Sequence, residues 1–229
     1  MSSRARVPRR RPQAERNDRA LLQAARDVVA EDGAHASVAA IAARAGVGIG
    51  SLYRRYRTKE ELFQQLSLLS LRSWNEAAER ALAHDDPGSG LAAFVTECAE
   101  FGQGTLGPVA GTIEVTEEMA ATSAQGDELL DRLVVRARAA GALRPDVTAV
   151  DIMLLVEQLG RSPLVEQLRR QGRDDLLSDA VAARRRLLAI AVAGLRPGDA
   201  PPLPGSPPAL ALLTERWARP GDAPGDPVL

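Results

Sequence analysis

"VAAIAARAGVGIGSLYRRYRTKEELFQQL", residues 38–66, is the stretch whose reading decides the fold. Two helix-forming runs meet at Gly46-Val47-Gly48, and Ser37, a good helix cap, stands before the first of them. A helix-turn-helix unit makes mechanical demands on such a stretch, because its helices cross steeply over a short turn. A small residue is needed at the crossing, and Ala42 supplies it. The turn needs positive φ, which Gly46 tolerates. Val47 should then tuck into a core with Ile41, Ala45 and Leu52. Residue types alone leave an ordinary αα-hairpin open beside the DNA-binding unit.

Helical periodicity continues on both sides. Upstream, "NDRALLQAARDVVAEDGA" places Leu21, Ala25 and Val28 on one stripe, flanked by Leu22 and Val29. Asn17 or Asp18 is expected to cap that helix and Gly33 to end it. Downstream, "IGSLYRRY" resumes helical spacing. Thr58 is placed to cap a longer helix through about residue 83, which buries Leu62, Leu66, Leu69 and Trp74. "HDDPGSG" at 84–90 is a break. Further helices are expected at about 89–103, 106–121, 125–141, 146–168 and 175–195, with Pro163 kinking or shortening the fourth. The expected fold is all-α, and β-branched alternation is scarce.

The charge is divided along the chain. Residues 1–60 carry 13 basic and 6 acidic residues, the remainder 16 and 24, within a net charge of −1. A basic head on an acidic body suits a polyanionic partner, or else a solvated basic tail with no target. Arg4, Arg6, Arg9, Arg10 and Arg11 make residues 1–15 a flexible basic arm that either enters a minor groove or tethers nonspecifically. Residues 197–229 hold nine of the 15 prolines and are expected to be largely disordered, save a short helix at 209–218. Trp217 either docks that segment on the body or leaves it free.

Other functions find little support. Cys98 stands alone and reads as a small helix hydrophobe in a cytoplasmic protein. No secretory h-region follows the basic N-terminus, and no window is long and apolar enough to span a bilayer. His35 and His84 have no partner spacing for a triad or a zinc site, so neither an enzyme nor a metal or cofactor is expected. "GVGIG" at 46–50 lacks the spacing of a phosphate loop.

Residues 17–70 closely resemble the DNA-binding domain of TetR-type (tetracycline-repressor-like) transcription regulators. The resemblance rests on Ser37, Ile41-Ala42, Ala45-Gly46-Val47, Ser51-Leu52-Tyr53 and Thr58-Lys59-Glu60. Arg55 and Tyr56 depart from it, standing where His and Phe are usual. The resemblance implies that Tyr53 and Lys59 donate to DNA phosphates. Lys59 is the single lysine, and a compact ammonium on the first turn of a helix, where the dipole already favours an anion, completes a phosphate site. Pairing with Glu60 or Glu61 is the plainer use of that charge. Ser37, Arg54, Arg55, Arg57 and Thr58 join the expected DNA face, with Arg54 able to reach a guanine edge. Gly48 and Gly50 offer no side chain for base reading. Ile49 either meets a thymine methyl or joins the core, and Ser51 can bond either kind of base. Specificity would lean on DNA shape.

"AAGALRPDVTAVDIMLL", residues 139–155, resembles a segment common in the family's C-terminal domains, and more loosely. It implies a homodimer through helices at about 146–168 and 175–195, packed as a four-helix bundle on a palindromic double-stranded DNA operator. The apolar band Leu176, Val181, Leu187, Leu188, Ile190, Ala191 and Leu195 fits that role. Arg184, Arg185 and Arg186 form a solvated face or pair with Asp151 or Glu157 of a second copy. A cavity for a small-molecule effector is implied within 89–168, with Glu97, Phe101, Thr112, Glu114, Glu118, Met119 and Gln158 as candidates; a surface or packing role is the plainer use of each. The expected division is an arm at 1–15, a helix-turn-helix domain at 16–63, a ligand-binding and dimerisation domain at 64–196 and a tail at 197–229. The expected function is a repressor released by its effector, against an activator, an effector-independent or nonspecific DNA binder, and a small helical enzyme.

Overall fold

The computed structural model describes residues 11–217, and it is helical in all its regular elements. Helix α1 spans Arg11–Asp32, α2 Val38–Ala45, α3 Ile49–Arg55 and α4 Lys59–Leu82. The body continues with α5 (Pro87–Glu100), α6 (Glu117–Ala139), α7 (Ala149–Gly160), α8 (Pro163–Arg170) and α9 (Leu177–Gly194), and a short α10 (Ala211–Thr214) follows. Helix α4 packs on α1, α5 and α6, so it belongs to head and body at once. Among the described residues no helix is long and apolar enough to cross a membrane.

Several boundaries differ from expectation. Helix α1 starts at Arg11, so Asn17 and Asp18 lie inside it rather than capping it, and residues 11–15 belong to the helix rather than to an arm. Residues 1–10, and with them Arg4, Arg6, Arg9 and Arg10, lie outside the described residues, as does residue 218 of the expected tail helix. The helices expected at 106–121 and 125–141 are replaced by an irregular stretch and the single helix α6. Gly102, Gly104 and Gly111 take φ of 77°, 85° and 73°, which end helical propagation, and α6 begins where Thr116 accepts from Met119 N at 3.2 Å. The helix expected at 146–168 is two: a Thr148–Asp151 capping box starts α7, and Arg161 turns extended ahead of Ser162-Pro163.

The head and body share one core. Leu22, Val29, Ile41, Leu62 and Leu66 are buried together with Leu106, Val109 and Ile113 of the segment between α5 and α6. Within it lies Arg26, 2% exposed and one helical turn from Leu22. Its Nη1 donates to Phe101 O at 2.6 Å and its Nη2 to Ser70 Oγ at 2.9 Å, while the guanidinium lies 4.0 Å over the Phe101 ring. Ser70 in turn donates to Gln103 Oε1 at 2.7 Å, and Gln103 Nε2 donates to Ser70 O at 2.9 Å. Burial lowers the Arg26 pKa to about 10, so the group remains cationic at neutral pH. In the second core Trp74 meets Phe94 edge-on at 4.7 Å, and Cys98 is buried, its thiol pushed up by desolvation.

The α9 arginines divide. Arg184 points inward and donates to Leu159 O, to Gly160 O at 3.1 Å and to Ala99 O, closing the C-terminal ends of α7 and α5. It is therefore neither a solvated residue nor a rim contact. Arg185 pairs with Glu100 at 3.1 Å. Asp151 serves its own capping box, and Glu157 receives Arg216 at 2.8 and 2.6 Å.

Residues 197–217, expected to be largely disordered, lie along the body. Arg144 forks onto Asp146 at 2.9 Å and donates to Pro201 O at 2.8 Å, while Leu203 N donates to Asp146 at 2.8 Å. Farther on, Leu213 is buried and Arg216 grips Glu157. Discrete side-chain anchors hold a proline-rich segment that could not form a core of its own.

Gly160 ends α7 against the irregular stretch, where an added Cβ would stand 2.1 Å from the backbone oxygen of Gln103. Gly160→Ala should cost roughly 2 kcal/mol and lower Tm by about 5 °C in a circular-dichroism melt. Gly194→Ala meets nothing within 4 Å and should leave Tm unchanged or slightly raised.

Candidate nucleic-acid interface

The turn between α2 and α3 is built as its residues require. Ser37 Oγ accepts from Ala40 N at 3.1 Å to open α2, and Gly46 closes it at φ 67°. Ala42 is 2% exposed at the crossing, Ile41 is 0% exposed and Leu52 5% exposed, with Val47 packed against them. Arg44 locks α2 to α1 by reaching both oxygens of Glu31 at 3.0 Å.

Helix α3 thus keeps Leu52 in the core and turns its other side outward. Gly48, Ile49, Gly50, Ser51, Tyr53 and Arg54 are exposed; Ile49 faces solvent rather than the core. Tyr56 is buried behind them, and that burial pushes its phenol up. Arg55 donates to Asp18 on α1 at 2.6 Å and lies 5.1 Å over the Tyr56 ring. Its charge braces the head while half of its side chain stays exposed. Arg57 and Thr58 are exposed beyond α3, and Thr58 Oγ1 opens α4 by accepting from Glu61 N at 3.0 Å. Glu61 answers by accepting from Arg57 N at 2.7 Å. Lys59, on the first turn of α4, donates to Ala34 O at 3.1 Å and sits 5.4 Å over Phe63. The ammonium ties the turn after α1 to the start of α4.

A pair of packed helices with a left-handed glycine between them, a capped third helix and an outward aromatic-basic face form one unit. The family model "Bacterial regulatory proteins, tetR family" matches residues 21–66, over this same unit. The model "Transcriptional regulator SbtR-like, C-terminal domain" matches residues 86–197, so that together they span more than two thirds of the chain. The chain belongs to the TetR family. Its fold agrees: it is similar to a TetR transcriptional regulator from Streptomyces coelicolor, at 24% identity and TM-score 0.53, over 79% of this chain and 98% of that one. It is likewise similar to a TetR transcription regulatory protein from Mycobacterium vanbaalenii, at 25% identity and TM-score 0.52, over 82% of this chain and 99% of that one. As a member of this family it is a DNA-binding transcription regulator and not an enzyme.

Beside this TetR head the body holds a half-open cavity of about 870 Å³, walled by α4, the stretch between α5 and α6, α6 itself and the C-terminal segment. Of the residues singled out from sequence, Glu114 and Met119 line it. The others lie elsewhere. Glu97 pairs with Arg80, and Glu118 with Arg72 at 2.5 Å. Phe101 is the ring under Arg26, Thr112 donates to Val109 O at 2.7 Å, and Gln158 is exposed on α7. Ser67, Ser70, Gln103, Asp127 and Trp217 line the cavity without having been anticipated. Arg26 was also overlooked, although an arginine between Leu22 and Val29 on a buried stripe is a visible signal.

Lys59→Ala should weaken duplex binding by about tenfold and reduce the salt slope by about one phosphate, while Thr58 keeps α4 capped and Tm nearly constant. Fluorescence anisotropy across salt concentrations checks this; parent-like affinity at every salt would remove Lys59 from the DNA face.

Proposed function

We propose that the chain is a repressor, which holds a near-palindromic double-stranded operator as a homodimer and leaves it when a small-molecule effector fills the cavity. One observation carries the reading: Ser70, which accepts from Arg26 of the head, and Gln103, which holds Ser70 in turn, both line the cavity. An occupant that displaces either residue alters the seat of α1. Occupied and empty states then differ in how the head is presented, which is the differential that a ligand-driven change requires.

The division of labour follows the chain. Residues 16–63 read DNA and residues 64–196 bind ligand and dimerise, α4 joining the two as one continuous helix. Tyr53, Arg54, Arg57 and Lys59 serve as phosphate donors, with Ser37, Arg55 and Thr58 at the edge of the footprint. Ile49 and Ser51 supply what base contact there is, while Gly48 and Gly50 allow close approach. Dimerisation through α7 to α9, the region of 146–168 and 175–195, is supported by the solvent-facing Val181, Leu187 and Ile190, at 37%, 60% and 63% exposed. Two-fold symmetry then sets two α3 helices about one DNA turn apart. The work is cytoplasmic, where the DNA is.

Footprinting on DNA flanking the protein's own gene tests the reading. One near-palindromic stretch should be protected, and transcription from the promoter it overlaps should fall as protein is added. A rise in transcription would make the chain an activator, and uniform protection of all DNA would make it a nonspecific binder.

A further inference from the structure

One wall of the cavity is built unlike the others. Helices α4 and α6 and the stretch after α5 are packed into the two cores, whereas the remaining side is supplied by Thr214, Arg216 and Trp217, beyond the C-terminal family match at residues 86–197. Helix α10 is a single turn, and Leu210 and Leu212 are 42% and 61% exposed. The segment meets the body through discrete groups. Leu213 is buried, Trp217 is half-buried against the core shared with the head, and Arg216 forks onto Glu157 at 2.8 and 2.6 Å. A second space, of about 190 Å³, opens between Leu210, Leu213 and Trp217 of this segment and Trp74, Met153 and Val156 of the body. An element held by a few side chains beside unfilled space separates at less cost than a packed helix.

The chain that leads to this wall is suited to swing. Arg144 and Asp146 fix Pro201 and Leu203 at 2.8 Å each. Beyond that anchor, residues 204–208 make no hydrogen bond to the body among the described residues. Gly205 turns there at φ 78°, and Pro204, Pro207 and Pro208 stiffen the link on either side. The far end touches the seat of the head. Glu157 packs on Gly104, where an added Cβ would stand 2.6 Å from Glu157 Cγ. Gly104 follows Gln103, which holds Ser70 and through it Arg26. A half-open cavity leaves its occupant exposed, whereas small-molecule sites cover most of their ligand. A movable wall supplies both the entrance and the closure.

We propose that residues 204–217 are a strap hinged at Gly205, which lifts to admit the effector and closes on it through Trp217, with the Arg216–Glu157 pair as its latch. This rests on the reading of the cavity as the effector site.

Hydrogen exchange on the full chain tests the strap without a ligand. The amides of residues 209–217 should exchange together, at least about tenfold faster than those of α6. Arg216→Ala and Glu157→Gln should each quicken them by about fivefold and leave α4 and α6 unchanged, with Arg216→Lys, which keeps the charge but loses the fork, in between. Prodan, a neutral dye that brightens in apolar surroundings, tests the gate by stopped flow. Both latch variants should speed its entry and its exit alike, by about fivefold, and saturating dye should slow exchange across 209–217 in the parent. A segment that exchanges as slowly as α6, or latch variants that change the dye's exit alone, would make this wall a fixed one and overturn the inference. Failure of prodan to bind leaves nothing to gate and overturns it too. The effector reading fails separately, if prodan saturates the cavity and operator affinity does not change; the strap then stands as a gate.

Discussion

The guanidinium of Arg26, buried between α1 and the stretch that follows α5, is the constraint on which the arrangement of head and body depends. A charge removed from water is expensive unless it is hydrogen-bonded and neutralised by its surroundings. Here the compensation comes from a backbone carbonyl, a serine hydroxyl and the face of a phenyl ring, and each belongs to a different part of the chain from α1. These groups satisfy the charge in one arrangement. Sliding α1 along the body would leave a cation without partners, so the head is seated where its guanidinium is met. Nε remains unmatched among the described residues, and this leaves the seat less than fully satisfied. Such a junction is firm enough to orient a domain and is sensitive to anything that moves Ser70 or Gln103.

From that seat the head presents a surface suited to a DNA backbone. Apart from Ile49, the residues that turn outward on α3 are small, hydroxylic or basic, and the glycines at its leading end leave its backbone open to close approach. Charge that holds the head together is kept apart from charge that is free to bind: Arg44 and Arg55 are engaged by α1 carboxylates, whereas Arg54 and Arg57 face solvent. Affinity in such an interface comes chiefly from phosphates, and selectivity from shape and from the spacing of two copies.

Much of the head was legible because local chemistry decides it. Ser37 and Thr58 cap, Gly46 turns left-handed and Ile41 is buried for reasons contained within a few residues of each. The region after α5 was not legible by those rules. Apolar spacing around Val109 and Ile113 imitates a helix, yet the glycines at 102, 104 and 111 adopt positive φ because that stretch packs against the head. Arg184 was read as outward by composition, but its partners are carbonyls at the ends of α5 and α7, which only the folded chain brings together. The same holds for the cavity. Asp127 and Ser67 are unremarkable in sequence, and Glu114 and Glu118 drew notice instead, although Glu118 is spent on Arg72. Residues 197–217 misled through composition: proline content argues against a core, but not against anchoring by Arg144, Asp146 and Glu157.

The central claim is that two copies of this head read one sequence together. Selection of bound duplexes from a random pool by the full-length chain tests it most directly. The account predicts enrichment of a single inverted repeat, with half-site centres about one helical turn apart or a whole multiple of it. Enrichment of a lone half-site, or recovery of a pool as random as the one supplied, would contradict it.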